Sequence, residues 1–287
     1  MIFFNTENHI HAFPQHLNIS SVFTENMVVI AVANQKGGVG KTTIAFNLAH
    51  VLSSDKRTSI LAIDNDPQGN LTQSFFNDQP PAQAHVLNLY DGKPVTPAVR
   101  TPWLHVLGAD ISLAPVAERE FSVIFKLKEG IERLKSQSGV AYDHIIIDCL
   151  PALGHLQLAA LQAADIVLIP VRPSPYALAG MQALFQTINK TKKYFNPYLK
   201  VLGIIINQTD GRKIIIEREM EAALRETYGP LVFKNRIQKR VRIEESCSFQ
   251  QGVTQYDPKS PAADDFKRVV QEMKRRIMKI NQNENEK

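Results

Sequence analysis

Five short and almost uninterrupted apolar runs recur along this chain, at residues 28–33, 59–63, 144–147, 166–171 and 201–206. They are rich in Val and Ile and do not alternate with polar residues. A strand with one wet face alternates, whereas a strand covered on both faces does not. Between the runs lie stretches with helical spacing of apolar residues, at 43–52, 118–134 and 178–194. Alternation of strand and helix builds βαβ units. The sequence therefore predicts an α/β fold: a doubly wound, mostly parallel sheet with helices on both faces.

The chain is long enough for one large domain, at 287 residues, and 44% of them are hydrophobic, which excludes general disorder. No apolar run nears the ~18 residues of a membrane span. Two cysteines, Cys149 and Cys247, make neither a disulfide scaffold nor a zinc set, and they fit a reducing cytoplasm. The net charge of +5 leaves room for a polyanionic partner.

The domain is expected over residues 28–280. An N-terminal extension, 1–27, precedes it. Residues 1–26 hold no Lys or Arg, so the basic start of a signal peptide is missing. His9, His11 and His16 have no Cys or paired acid to complete a metal site. Residues 77–102, with Pro80, Pro81, Pro94 and Pro97, read as a long irregular excursion, and 281–287 as a polar tail.

The strongest motif is Gly37, Gly38, Val39, Gly40, Lys41, Thr42 and Thr43, directly after the first strand and before a helix. Glycines let backbone N–H groups turn inward around phosphate oxygens, and the helix N-terminus adds its dipole. Lys41 can reach the β- and γ-phosphates, and the Thr42 hydroxyl can ligate Mg²⁺. The spacing Gly-x4-Gly-Lys-Thr would put a first glycine where Gln35 stands, so this is a deviant P-loop within a P-loop NTPase fold.

With Lys36 before the glycines, residues 33–43 resemble the deviant Walker A motif of the ParA/MinD family. The resemblance implies that Lys36 is the family's signature lysine, which crosses a dimer interface to the partner's nucleotide. A cation beside the bridging and γ-phosphate oxygens offsets the charge of phosphoryl transfer. Asp64-Asn65-Asp66-Pro67-Gln68-Gly69-Asn70 is similar to a second family segment. That likeness assigns Asp66 to activating the attacking water and Asp64 to the surroundings of the metal. The strand 145–147 ends in Asp148, a Walker B pattern that suits Mg²⁺. The following Cys149-Leu150-Pro151-Ala152-Leu153-Gly154 resembles the switch segment, with Leu150 and Ala152 where the family usually has proline and serine. Asn207 ends the strand at 201–206, where the family has an asparagine on the adenine edge.

Arg242-Ile243-Glu244-Glu245-Ser246, then Gly252, Tyr256-Asp257-Pro258 and Ser260, resemble the ParA/Soj chromosome and plasmid partition branch. That branch implies an ATPase that is slow alone. It closes as an ATP-sandwich homodimer and binds double-stranded DNA without sequence preference. A ParB-like centromere-binding partner stimulates it, and it works in the cytoplasm on the nucleoid. Five cations lie within nine residues with no acid among them: Lys234, Arg236, Lys239, Arg240 and Arg242. Phosphate contacts need such flexible cations. Arg236, Lys239, Arg240 and Arg242 are the expected DNA contacts, with Lys190, Lys192 and Lys193 next. A membrane-cycling ATPase of the MinD kind is the alternative. It would use the face made by Phe266, Val269, Val270, Met273 and Ile277, which otherwise packs on the core.

Overall fold

A computed structural model of the chain describes residues 27–77, 79–138, 140–210, 212 and 214–285. The expected extension before Met27, with its histidines, lies outside the described residues. Eight strands form one sheet among the described residues: β1 (Val28–Val32), β2 (Ile60–Asn65), β3 (Ala98–Thr101), β4 (Leu104–Leu107), β5 (His144–Cys149), β6 (Ile166–Val171), β7 (Lys200–Thr209) and β8 (Ile237–Gln238). Their order is β3-β4-β2-β5-β1-β6-β7-β8, parallel throughout except for β3 against β4.

The unbroken apolar runs are explained by two cores. Val29, Ala31 and Ala33 point into one, and Ile30 and Val32 into the other. The second core is closed by α1 (Lys41–Ser53), α2 (Asn70–Phe76), α8 (Val241–Ser248), α9 (Val253–Tyr256) and α10 (Pro261–Asn285). The first is closed by α3 (Leu87–Tyr90), α4 (Lys126–Ser138), α5 (His155–Ala163), α6 (Ala177–Tyr194) and α7 (Ile215–Tyr228). The predicted doubly wound α/β fold is the observed one.

The apolar stripe of α10 lies on the sheet. Phe266, Val269, Val270, Met273 and Ile277 are all buried, so this face is spent on the core and unavailable to a lipid surface. Among the described residues, no helix is long and apolar enough to cross a membrane. Phe266→Ala should cost about 3–5 kcal/mol of stability, read as a lowered urea midpoint. A loss below about 1 kcal/mol would mean that the helix is peripheral.

Three stretches differ from expectation. Residues 118–134 are not one helix. Arg119 is extended, Phe121–Phe125 is a 3₁₀ turn, and α4 begins only at Lys126. The apolar spacing survives because Val123, Ile124, Leu127, Ile131 and Leu134 are all buried. The excursion at 77–102 is not irregular throughout: it holds a 3₁₀ turn at Ala82–Ala84, the short helix α3 and, after Pro97, the edge strand β3 at Ala98–Thr101. Proline is tolerated at such a strand start, and an edge strand of four residues leaves little pattern to read. Of the expected polar tail, residues 281–285 continue α10.

Candidate functional site

The order of strands reverses around β1, so a crevice opens at its carboxyl end, between the ends of β5 and β6. The glycine loop enters it. Asn34 anchors the loop: its Nδ2 donates to Pro170 O at 2.7 Å, and its Oδ1 accepts from Lys36 N at 2.9 Å. Gly38 and Gly40 lie at φ 72° and 87°, where a side chain would be strained. At Gly40 a Cβ would also strike the Asn207 amide. Such a loop followed directly by α1 is a concave array of N–H donors, suited to a polyphosphate.

Charged residues converge around the loop. Lys41 is only 7% exposed, and its Nζ donates to Lys36 O at 3.3 Å. Burial lowers its pKa, and nearby Asp148 opposes that shift. Lys36 is half-buried, with its Nζ donating to Ser174 Oγ at 2.8 Å. Asp64 and Asp148 are register partners at the ends of β2 and β5. Asp148 is buried, and its Oδ1 has no hydrogen-bond partner. Burial, and after it the charge of Asp64, hold its carboxyl well above the usual range, against the Thr42 hydroxyl and Lys41. A dry carboxylate with an orphaned oxygen beside a hydroxyl suits a hard divalent cation. Thr42 and Asp148 could hold one.

Two residues make hydrogen bonds that the sequence did not foretell. Asp64, expected in the surroundings of the metal and paired in register with Asp148, accepts with both oxygens. Oδ2 accepts from Thr72 N at 2.8 Å and Thr72 Oγ1 at 2.7 Å, and Oδ1 accepts from Asp66 N at 3.1 Å. It therefore fixes the start of α2 and the Asp66 turn. Burial pushes its carboxyl up to about 7 despite these bonds. Asn207 was expected on a base edge, but its Nδ2 donates to Val39 O at 2.7 Å. Asp66 was expected to activate the attacking water. It lines the cleft, with Oδ1 held by Gln68 N at 3.0 Å. Cys149 is a packing residue whose thiol burial raises in pKa.

The cleft measures about 610 Å³. Gly37, Gly40, Lys41, Thr43 and Asp66 line one part, and Gln208 with Ile243 and Cys247 another. Ser174, Thr72 and Gln208 escaped the sequence reading. Only Ser174 carried a signal, a serine between two prolines at a strand end.

The basic segment joins the sheet edge at β8, with Lys239 N donating to Thr209 O at 3.0 Å. The tertiary structure supplies the acids that its sequence lacks. Arg236 pairs with Glu221 at 3.0 Å, Arg240 with Asp265 at 3.5 Å, and Arg242 with Glu245 at 2.8 Å and Asp257 at 3.3 Å. Lys239 stands exposed.

A family model described as an AAA domain matches residues 27–201. The chain is 36% identical over 250 residues to the chromosome-partitioning ATPase Soj of Thermus thermophilus, covering 86% of this chain and 96% of Soj. It is 35% identical over 269 residues to the chromosome partitioning protein ParA of Myxococcus xanthus, covering 86% and 88%. In fold it matches apo McdA of Cyanothece with a TM-score of 0.76 at 23% identity, covering 86% of this chain and 99% of that one. A glycine loop that closes on two lysines and an unsatisfied aspartate thus coincides with likeness to partition ATPases along most of the sequence, and the chain belongs to the ParA/MinD family of P-loop ATPases, in its ParA/Soj chromosome-partitioning branch.

Proposed function

We propose that this partitioning ATPase hydrolyses ATP with Mg²⁺, slowly when alone, and that ATP closes two copies into a sandwich dimer. The observation that carries the reading is the convergence of Lys41, Thr42 and Asp66 on one cleft behind a glycine loop, with Asp148 buried beside Thr42 and Lys41 and with Lys36 held by Ser174. The glycine N–H groups and Lys41 take the phosphates. Thr42 and Asp148 hold Mg²⁺, which neutralises phosphate charge when bound. Asp66 orients water, and Lys36 leaves Ser174 to reach the partner's nucleotide. Turnover should vanish on chelation of Mg²⁺ and rise with DNA and a ParB-like partner. Turnover indifferent to chelation would overturn the metal assignment.

The dimer binds double-stranded DNA without sequence preference, which would hold the protein on the nucleoid. Arg236, Lys239, Arg240 and Arg242 form the contact, doubled across two copies. The ion pairs of Arg242 do not remove it from this role, because an exposed pair contributes little and a phosphate can replace the carboxylate, whereas Arg240 is held more firmly by the buried Asp265. Lys239→Glu with Arg242→Glu should weaken binding to all DNA sequences alike. The slope of log affinity against log salt should fall by about 2, with ATP-driven dimerisation intact. Unchanged affinity at moderate salt would move the contact to Lys190, Lys192 and Lys193.

A further inference from the structure

We infer that Gln208 holds the base end of the nucleotide and selects adenine, while its neighbour Asn207 serves the glycine loop. This rests on the nucleotide reading of the cleft and names the residue that would read the base there. Asn207 is tied to that loop: it is 3% exposed, and one N–H of its amide donates to Val39 O.

Gln208 is built differently. The β7–β8 ladder runs from the pair Asn207–Ile237 to the pair Thr209–Gln238, so Gln208 is the extra residue of a bulge. Its φ is 57°, a left-handed conformation in which Cβ crowds the backbone of any residue but glycine. Asn207 and Thr209 on either side are buried, whereas Gln208 is half-exposed. Bulges commonly re-aim a side chain beside an active site, and a strained non-glycine residue is a pointer to function.

The side chain is aimed into the cleft. Gln208 lines it, and its Nε2 lies 3.2 Å from the position a Cβ on Gly40 would take. It therefore stands at the end of the glycine loop, where the nucleoside must emerge if the phosphates occupy the loop. Ile243 and Cys247 of α8 line the same cleft and offer an apolar surface to a flat ring. A carboxamide presents a donor and an acceptor together, and adenine presents the complement at its 6-amino group and N7. Guanine shows two acceptors at that edge, which a fixed carboxamide cannot both satisfy.

The test compares binding of ATP, GTP and inorganic tripolyphosphate by the full chain and by Gln208→Gly and Gln208→Ala. Glycine is the residue that this backbone prefers, so Gln208→Gly should melt no lower than the parent. Both variants should nonetheless bind ATP about tenfold more weakly and lose most of their preference for ATP over GTP, with tripolyphosphate affinity unchanged. Two results overturn the assignment. One is an unaltered ATP affinity and ATP/GTP ratio. The other is an equal loss for ATP and tripolyphosphate, which would make Gln208 a support of the loop alone. Either leaves the nucleotide reading standing. A parent chain that binds neither ATP nor tripolyphosphate removes that reading and this assignment with it.

Discussion

Lys41→Ala should abolish ATP binding while the chain still folds. The ammonium lies in a buried position beside Asp148 and Asp66, and its charge is held there against the desolvation that lowers its pKa. Alanine removes the nearest cation from the phosphates and leaves two carboxylates facing them. Loss of one charge-assisted contact in a dry site costs about 3 kcal/mol or more, a hundredfold or greater in affinity. The sheet should tolerate the change, because the stem of Lys41 is at the first turn of α1 and the apolar residues of that helix are untouched. Calorimetric titration with ATP, beside a thermal melt, checks both halves. Wild-type affinity and turnover in Lys41→Ala would take the phosphates out of this loop.

Asp66→Ala and Lys36→Ala should fail in opposite ways. Asp66 is 7% exposed, and with Oδ1 pinned by the Gln68 N–H its carboxylate is held in one orientation at the cleft wall. Removing a positioned base costs about 10²–10⁴ in rate without removing a phosphate contact. The alanine variant should bind ATP, accumulate as a dimer and hydrolyse almost nothing. Lys36 Nζ is engaged by Ser174 Oγ rather than by a residue of its own glycine loop. Lys36→Ala should therefore bind ATP but remain monomeric. Light scattering with and without ATP separates the two. A monomeric Asp66→Ala chain that still binds ATP would count against the sandwich dimer, and a dimeric, active Lys36→Ala chain would end the role in trans.

The parallel sheet and the phosphate loop were legible because their signals are local. Burial of a strand on both faces is written in consecutive residues, as at Ile145-Ile146-Ile147, and a loop that needs left-handed backbone shows as Gly38 and Gly40. The short edge strands β3 and β8 were not legible, since two to four residues carry no period. The hydrogen bonds of Asp64 were not legible either, because the Thr72 contacts to its carboxylate form only when α2 docks on the end of β2. The same holds for the basic segment, which is free of acids along the chain yet meets Glu221, Asp257 and Asp265 from other elements. Asn207 and Gln208 make the point most sharply. Two adjacent amides are alike in a sequence, and only a bulge in the β7–β8 ladder turns one under the glycine loop and the other into the cleft. What the sequence by itself determined was what each segment must bury and what its backbone must allow. What only the tertiary structure decided was which polar group spends its hydrogen bonds inside the protein, because that depends on neighbours remote in the chain.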